Sequence, residues 1–414
     1  MDVDEVVTEV ATAVGLAEGE SGIRDILSAV LAAEPAAVRE IARLAELPVP
    51  IVAAACNELR RRGIVDSHRP VHLTASGRAA IAEASLASGV RVTCPECGGR
   101  GEIVPPELAG LVATLQAISA GTPGAKAELD QTHCTVDTKV GRVLRLQRAR
   151  ALAGQRIMVL GDDDLVSVAL AHFAALTGSP AAVRRLTVVD ADPDILAWID
   201  QQVAGTGTTV ETVQHDLRRP LPASLAGGFD VVLTDPPYTV PGALLFLSRA
   251  VSALVPEPGR HIFFSFGARR PDETLLVQQA MAEMGLLIRS LTPGFNEYLG
   301  AGVLAGTSNL YHLRTVAGAR PLIDGAYDGP LYTADNRGAA TRPYRCAGCR
   351  AVSEVGPGTR WPQIAALQAA GCPACGGTVF RPMPLQSRGV RGVVPPGQQQ
   401  SGADRAGPAR ERGR

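Results

Sequence analysis

Apolar residues recur at helical spacing over 23–31, 38–44 and 51–62, which predicts three helices near the start of the chain. Pro48 and Pro50 separate the last two, with Pro50 near a first helical turn. Gly63 ends the third helix, a strand opens at Ile64, and His68-Arg69-Pro70 turns the chain into a second strand at 71–74 before a helix begins at Ala75. Helices followed by a hairpin predict a winged-helix module over 1–88. A connector follows over 89–130, with a Cys94-Pro-Glu-Cys97 knuckle and a short apolar helix that Gly121-Thr-Pro-Gly124 breaks. Over 131–320 the pattern alternates. Strands are expected at 157–160, 186–190, 210–213, 229–234 and 260–266, helices at 166–176, 193–203, 242–254 and 273–284, and two antiparallel edge strands close the run. That alternation predicts a doubly wound α/β domain. Residues 321–383 carry two cysteine knuckles, and the tail 384–414, without any apolar period, is expected to be disordered.

Charge narrows the class of partner. Lys plus Arg number 40 against 41 acidic residues, net −1, so the chain as a whole does not attract polyanions. Aromatics at 4% argue against a surface of base-stacking platforms. The would-be recognition helix opens with Ile51-Val-Ala-Ala-Ala-Cys56, which offers nothing to base edges, and Arg60-Arg61-Arg62 comes only at its end. A packing or dimerisation role is therefore preferred, with a homodimer expected and nucleic acid disfavoured. No apolar run reaches the roughly 18 residues of a membrane span, and the acidic start lacks the Lys or Arg of a secretory signal, so a cytoplasmic location is expected. In a reducing compartment the three Cys-x-x-Cys pairs among eight cysteines read as metal ligands or redox motifs rather than disulfides.

The candidate chemistry sits at strand ends. The strand 157–160 runs into Gly161-Asp162-Asp163-Asp164 and then directly into a helix, the opening of a Rossmann-like nucleoside site. Three consecutive carboxylates would repel a pyrophosphate by roughly 4 kcal/mol per close like-charge pair at an effective dielectric of about 20. NAD and FAD are disfavoured, and a sulfonium, an ammonium or both are favoured. Asp190 ends the second strand, where it can accept ribose hydroxyls. Gln214-His-Asp216 ends the third, a place to bind an adenine amino group. The fourth ends in Asp235-Pro236-Pro237-Tyr238. The prolines hold the turn rigid, and Asp235 is placed to orient an amine and take its proton, with Tyr238 covering it.

Asp130-Gln131-x-x-x-Thr135, Val159-Leu-Gly-Asp-Asp-Asp-Leu165, Asp216-Leu-Arg-x-Pro-Leu-Pro222, Phe229-Asp-Val-x-x-Thr-Asp-Pro-Pro-Tyr238 and Phe295-Asn-Glu-Tyr298 are similar to motifs of the branched-chain polyamine synthases. The likeness runs from the first module to about residue 320. It implies an S-adenosylmethionine-methyltransferase-type fold and transfer of aminopropyl groups from decarboxylated S-adenosylmethionine to the secondary amine of spermidine. On that basis Asp164, Asp235 and Tyr238 are expected to be catalytic. Gly161, Asp162, Asp163, Asp190 and Asp216 are expected to bind the donor or polyamine ammonium groups, and Gln131, Pro236, Pro237 and Glu297 the acceptor. The electrostatics agree, because the decarboxylated donor lacks the carboxylate that three aspartates would oppose.

The carboxyl-terminal part departs from that family. Cys346-Ala-Gly-Cys349 and Cys372-Pro-Ala-Cys375 have the spacing of a four-cysteine structural zinc ribbon. Cys94 and Cys97 form a second candidate pair, which His133 and Cys134 or a dimer mate would complete. Two other functions compete. Asp-Pro-Pro-Tyr also marks enzymes that methylate base nitrogens, and a noncatalytic DNA-binding regulator sensing polyamine is the third reading.

Overall fold

The computed structural model describes residues 2–83, 94, 96–97, 99–178, 183–300, 306–333, 335, 342–355, 359–361 and 364–383; the tail expected to be disordered, 384–414, lies outside them. The chain divides into two compact units, Met1–Asn336 and Arg337–Arg414.

The first unit opens with four helices, α1 (Val3–Val14), α2 (Gly19–Ala33), α3 (Val38–Leu44) and α4 (Val49–Arg61). Helix α1 was not foreseen, although Val3, Val6, Val7, Val10 and Ala11 form one buried face at helical spacing. The Asp2 carboxylate caps its start, and Gly15 at φ 66° ends it. After α4 the chain folds back through antiparallel bridges Val65–Leu73 and Ala36–Val71, and α5 (Ala75–Glu83) follows. These elements share a core of their own around Ile23, Ile26, Val52 and Leu59.

Two helices, α6 (Ala109–Ala120) and α7 (Val136–Arg148), lead into the α/β part. There β1 (Arg156–Leu160), α8 (Val166–Leu176), β2 (Arg185–Asp190), α9 (Pro193–Val203), β3 (Val210–Gln214), β4 (Val231–Thr234), α10 (Val240–Ala253), β5 (His261–Phe266), α11 (Pro271–Glu283), β6 (Leu286–Glu297) and β7 (Thr307–Thr315) follow in order. The seven strands lie as β3-β2-β1-β4-β5-β7-β6. The first five are parallel, and β7 runs antiparallel to both β5 and β6. Near-continuous apolar runs such as Ile157-Met-Val-Leu160 are explained by burial on both faces. Ile157 and Val159 pack with α6–α9, while Met158 and Leu160 pack with α10 and α11. Strand order reverses direction at β1, flanked by β2 and β4, which opens a crevice at their carboxyl ends.

The turn after β4 has no room for a side chain at its helix entry. A Cβ on Gly242 would sit 2.4 Å from the Pro237 carbonyl oxygen, while the Gly242 amide donates to Thr239 Oγ1 at 2.9 Å. Thr239 in turn donates to Leu331 O.

Residues 321–333 correct the expected start of the ribbon. They run back over α10 because the buried Arg249 guanidinium donates to the carbonyls of Leu217, Ile323 and Gly325 at 2.9, 2.8 and 2.7 Å. A buried cation satisfied by carbonyls alone ties that stretch to the first unit.

The second unit holds β8 (Arg342–Cys346), β9 (Val352–Val355), α12 (Ile364–Ala370) and β10 (Phe380–Pro382), with an antiparallel sheet ordered β10-β8-β9. Among the described residues, no helix is long and apolar enough to cross a membrane.

Candidate active site

The loop after β1 assigns three adjacent aspartates to three tasks. Gly161, at φ 72°, turns the chain, and its amide donates to Val189 O. Asp162 is fully buried and caps α8, its two oxygens accepting from the amides of Val166 and Ser167 at 2.7 and 3.0 Å. Burial pushes its carboxyl up to about 7. The expected role in ammonium binding is corrected here, because the side chain is enclosed at the helix terminus with no surface open to a ligand. Asp190 supports the same loop, accepting from the amides of Asp162 and Asp192, each at 2.8 Å.

Asp163 and Asp164 turn toward the elements that carry the other site residues. Asp163 is half-buried and accepts from the Thr132 amide at 2.8 Å. Burial, and then the like charges of Asp164, Asp235 and Asp190, hold its carboxyl well above the usual range. Asp164 is buried, and accepts from the Cys134 amide at 2.6 Å and from Arg142 Nη1 at 2.8 Å.

Arg142 joins the two sequence motifs. Its Nη2 donates to Asp235 Oδ2 at 2.7 Å and lies 3.1 Å from the Tyr298 hydroxyl, while its Nε donates to Asn296 Oδ1 at 2.9 Å. Tyr298 donates to Asp235 Oδ2 at 2.5 Å and accepts from the Tyr238 hydroxyl at 2.7 Å. Lys139, one turn before Arg142 on α7, is also buried, with its ammonium on Cys134 O at 2.8 Å. Burial alone would raise both Asp164 and Asp235, and the cations decide how far. Arg142 and Lys139 overcome burial at Asp164 and hold it below the ordinary carboxyl range. At Asp235 burial prevails over Arg142, helped by the Asp164 charge, and its carboxyl lies at about 7. One carboxylate is locked in its ionised form, and its neighbour is poised to exchange a proton near neutrality.

The remaining expected residues are less central. Pro236 and Pro237 are buried in the rigid turn, and the Tyr238 ring meets Phe266 edge-on with centroids 5.7 Å apart. Gln131 bridges from the amide of Lys126 to Asp192 Oδ2, the latter at 2.9 Å. Asp216 is exposed after β3, where it accepts from the Arg218 amide at 2.9 Å. Glu297 is a correction. Its carboxylate pairs with Arg43 at 3.1 Å and Arg100 at 3.6 Å, because along a strand it projects oppositely to Asn296 and Tyr298. Sequence reasoning missed Arg142, Lys139, Asn296 and the role of Tyr298. The signal for the first two was present: two cations at i and i+3 within an otherwise valine-rich face of α7.

The arginines that end α4 are already engaged. Arg62 pairs with Glu9 at 2.9 Å and Glu58 at 2.7 Å, Arg61 also pairs with Glu58, and Arg60 donates to Asn57 and the Asp66 carbonyl. This helix end is not a free cationic patch.

In the second unit the sulfurs of Cys346, Cys349, Cys372 and Cys375 all lie within 4.8 Å of one another. The Cys346–Cys375 and Cys349–Cys372 distances are each 3.6 Å. Four thiolates about 2.3 Å from a central zinc would stand roughly 3.8 Å apart, so the donor set fits a tetrahedral ion. Gly348 and Gly377 leave space beside these sulfurs: a Cβ on Gly377 would sit 3.4 Å from both Cys346 and Cys375. The completion of the Cys94/Cys97 pair by His133 and Cys134 is corrected. His133 directs both ring nitrogens at the carbonyls of Asp163 and Pro123, 2.7 and 2.9 Å away, and Cys134 is buried against Lys139 and Asp164. Among the described residues, the carboxyl-terminal four alone bring three or more metal-binding side chains together.

Comparison with known proteins matches residues 110–319 to the family model of the branched-chain polyamine synthase A C-terminal domain. The chain is 32% identical over 379 residues to an uncharacterised protein of Methanocaldococcus jannaschii, covering 91% of this chain and 92% of that one. It is 31% identical over 293 residues to the N(4)-bis(aminopropyl)spermidine synthase of Thermococcus kodakarensis, covering 70% and 80%. A crystal structure of the branched-chain polyamine synthase C9 mutein from Thermus thermophilus, in complex with N4-aminopropylspermidine and 5'-methylthioadenosine, superposes with a TM-score of 0.66 at 26% identity. That match covers 80% of this chain and 97% of the other.

Removing the shared guanidinium tests this network. Arg142→Met leaves two buried carboxyls without their cation, and is expected to cost about 3–5 kcal/mol in chemical denaturation. Arg142→Lys should recover only part of the loss, since an ammonium cannot bridge both carboxylates as the planar fork does. Wild-type stability in the Met variant would contradict the assignment.

Proposed function

The chain belongs to the branched-chain polyamine synthase family, and we propose that it transfers aminopropyl groups from decarboxylated S-adenosylmethionine to the secondary amine of a spermidine-like polyamine. The observation that carries this reading is the charge balance at the strand ends: Arg142 and Lys139 face Asp163, Asp164 and Asp235, which leaves anionic capacity for a cationic donor and acceptor. In the reaction the amine lone pair attacks the aminopropyl carbon next to the sulfonium. The new N–C bond forms as the C–S bond breaks, its electron pair goes to sulfur, and 5'-methylthioadenosine leaves. The proton lost by the amine goes to Asp235, whose carboxyl lies at about 7.

Asp164 remains ionised and stabilises the cations electrostatically, while Asp163 meets a substrate ammonium. Asp235 orients the attacking nitrogen, with Tyr238 and Tyr298 as its hydroxyl partners. The ribose hydroxyls of the donor go to Asp190, whose oxygens each keep a lone pair beyond the amide they already accept. Asp216 meets the adenine amino group, and Gln131 supports the rim through Asp192. We read the sheet as a Rossmann-like S-adenosylmethionine-methyltransferase-type domain over 131–320 and the amino-terminal helices with their bridges as a winged-helix module over 1–88. The methyltransferase alternative on nucleic acid loses support from the paired state of Arg61 and Arg62.

We further assign Cys346, Cys349, Cys372 and Cys375 to a structural zinc ribbon. Four thiolates close the coordination sphere, so a bound ion would contribute folding free energy rather than catalysis.

Incubation with decarboxylated donor and a polyamine panel should yield aminopropylated products by mass, with Asp235→Asn reducing kcat by about a hundredfold or more. Because Asp235 accepts a proton only when ionised, kcat/KM should rise with pH through about 7. The limb of kcat should lie lower, since bound cations favour the carboxylate. Near-normal turnover by the Asn variant would overturn the assignment. Separately, elemental analysis should find about one zinc per chain, lost in Cys349→Ser together with Cys375→Ser. Purified protein free of metal, or metal retained by the double variant, would refute the ribbon.

A further inference from the structure

Around the end of strand β6 three consecutive residues, 296–298, have divergent attachments. Asn296 accepts from Arg142 at 2.9 Å, Tyr298 donates to Asp235 at 2.5 Å, and the Glu297 carboxylate between them is gripped from the other side. Arg43 of α3 reaches it at 3.1 Å, and Arg100 at 3.6 Å. Arg100 belongs to the knuckle turn, with both its amide and its Nε on the Cys97 carbonyl, at 3.0 and 3.1 Å. The Glu297 backbone is fixed as well: its carbonyl accepts from the Thr135 amide at 2.8 Å, and its amide donates to Thr138 Oγ1 at 2.9 Å. One residue thus fastens the amino-terminal helices, the knuckle and the start of α7 to the strand end that supplies two groups of the site.

The ion pairs themselves are partly exposed, with side-chain accessibilities of 40% for Arg43 and 28% for Glu297 and Arg100. Such pairs add little to stability. Their consequence is geometric. We propose that Glu297 is a positioning residue, held by Arg43 and Arg100, that keeps the Tyr298 hydroxyl on Asp235 and so couples the amino-terminal module to proton acceptance at the active site. This rests on the reading of Asp235 as the proton acceptor. The Tyr298 hydrogen bond favours the ionised carboxylate, so loosening it raises the pH at which Asp235 becomes competent.

Glu297→Gln preserves shape while removing the charge that both arginines grip. It should move the acid limb of kcat/KM upward by about half a pH unit, in the same direction as Tyr298→Phe. It should also lower kcat several-fold with little change in the polyamine KM. A direct substrate contact would instead raise KM with kcat kept. Glu297→Gln combined with Tyr298→Phe should match Tyr298→Phe alone, because both act through one bond. An unmoved limb in Glu297→Gln where Tyr298→Phe shifts it, or additive shifts in the double variant, would overturn the proposal. If Tyr298→Phe itself leaves the limb in place, it is the Asp235 reading that fails, and amide exchange then decides the clamp. Faster exchange across 296–298 in both Glu297→Gln and Arg43→Ala supports it, and unchanged rates refute it.

Discussion

A single guanidinium, that of Arg142, stands between Asp164 and Asp235, and the rest of the site is arranged around what it does and does not neutralise. It brings the two sequence motifs into one cleft and sets them apart chemically. Asp164 receives a full share of cationic stabilisation, with Lys139 behind it, and stays ionised. Asp235 receives too little to offset its burial and titrates at about 7. With the Asp163 carboxyl also pushed up by burial and by its acidic neighbours, the cleft carries unspent affinity for positive charge. On the proposed function a sulfonium donor and an ammonium-bearing acceptor supply what is missing, and their binding favours the ionised form of the carboxylate proposed to take the proton.

The fold makes this charge density tolerable. Asp162 is stabilised by the amino terminus of α8, where amide donors and the helix dipole meet an acid. Asp190 braces the same loop from the neighbouring strand. Beyond the switch point, the two prolines and the side-chain-free position at Gly242 hold the turn that carries Asp235 from the end of β4 toward α10. The stretch 321–333, latched by Arg249, then ties back to that turn through Leu331 and Thr239. Rigid supports on each side keep acid groups close that would otherwise separate.

Much of this was legible before the structure. Alternating apolar runs placed the strands of the parallel sheet, and the two acidic motifs declared themselves by lying at strand ends. The division of labour among Asp162, Asp163 and Asp164 was not legible, since identical side chains on consecutive residues differ only in where the backbone aims them. Glu297 was misassigned although strand alternation separates it from Asn296 and Tyr298, a period-two signal that was available. Arg142 and Lys139 were overlooked because a cation on a helix is ordinarily a solvated one. Only their place among buried valines distinguished them. The four carboxyl-terminal cysteines were read correctly as a cluster because each Cys-x-x-Cys pair is a local signal. The return of 321–333 depends on a distant arginine and carries no local signature.

The most direct test of the central claim compares two donors that differ in a single group. Calorimetric titration of the protein with decarboxylated S-adenosylmethionine and with S-adenosylmethionine itself isolates the effect of one carboxylate in this cleft. An anionic site predicts markedly tighter binding of the decarboxylated donor, with the preference weakening as salt is raised. Equal affinity, or preference for the carboxylate-bearing form, would contradict the account.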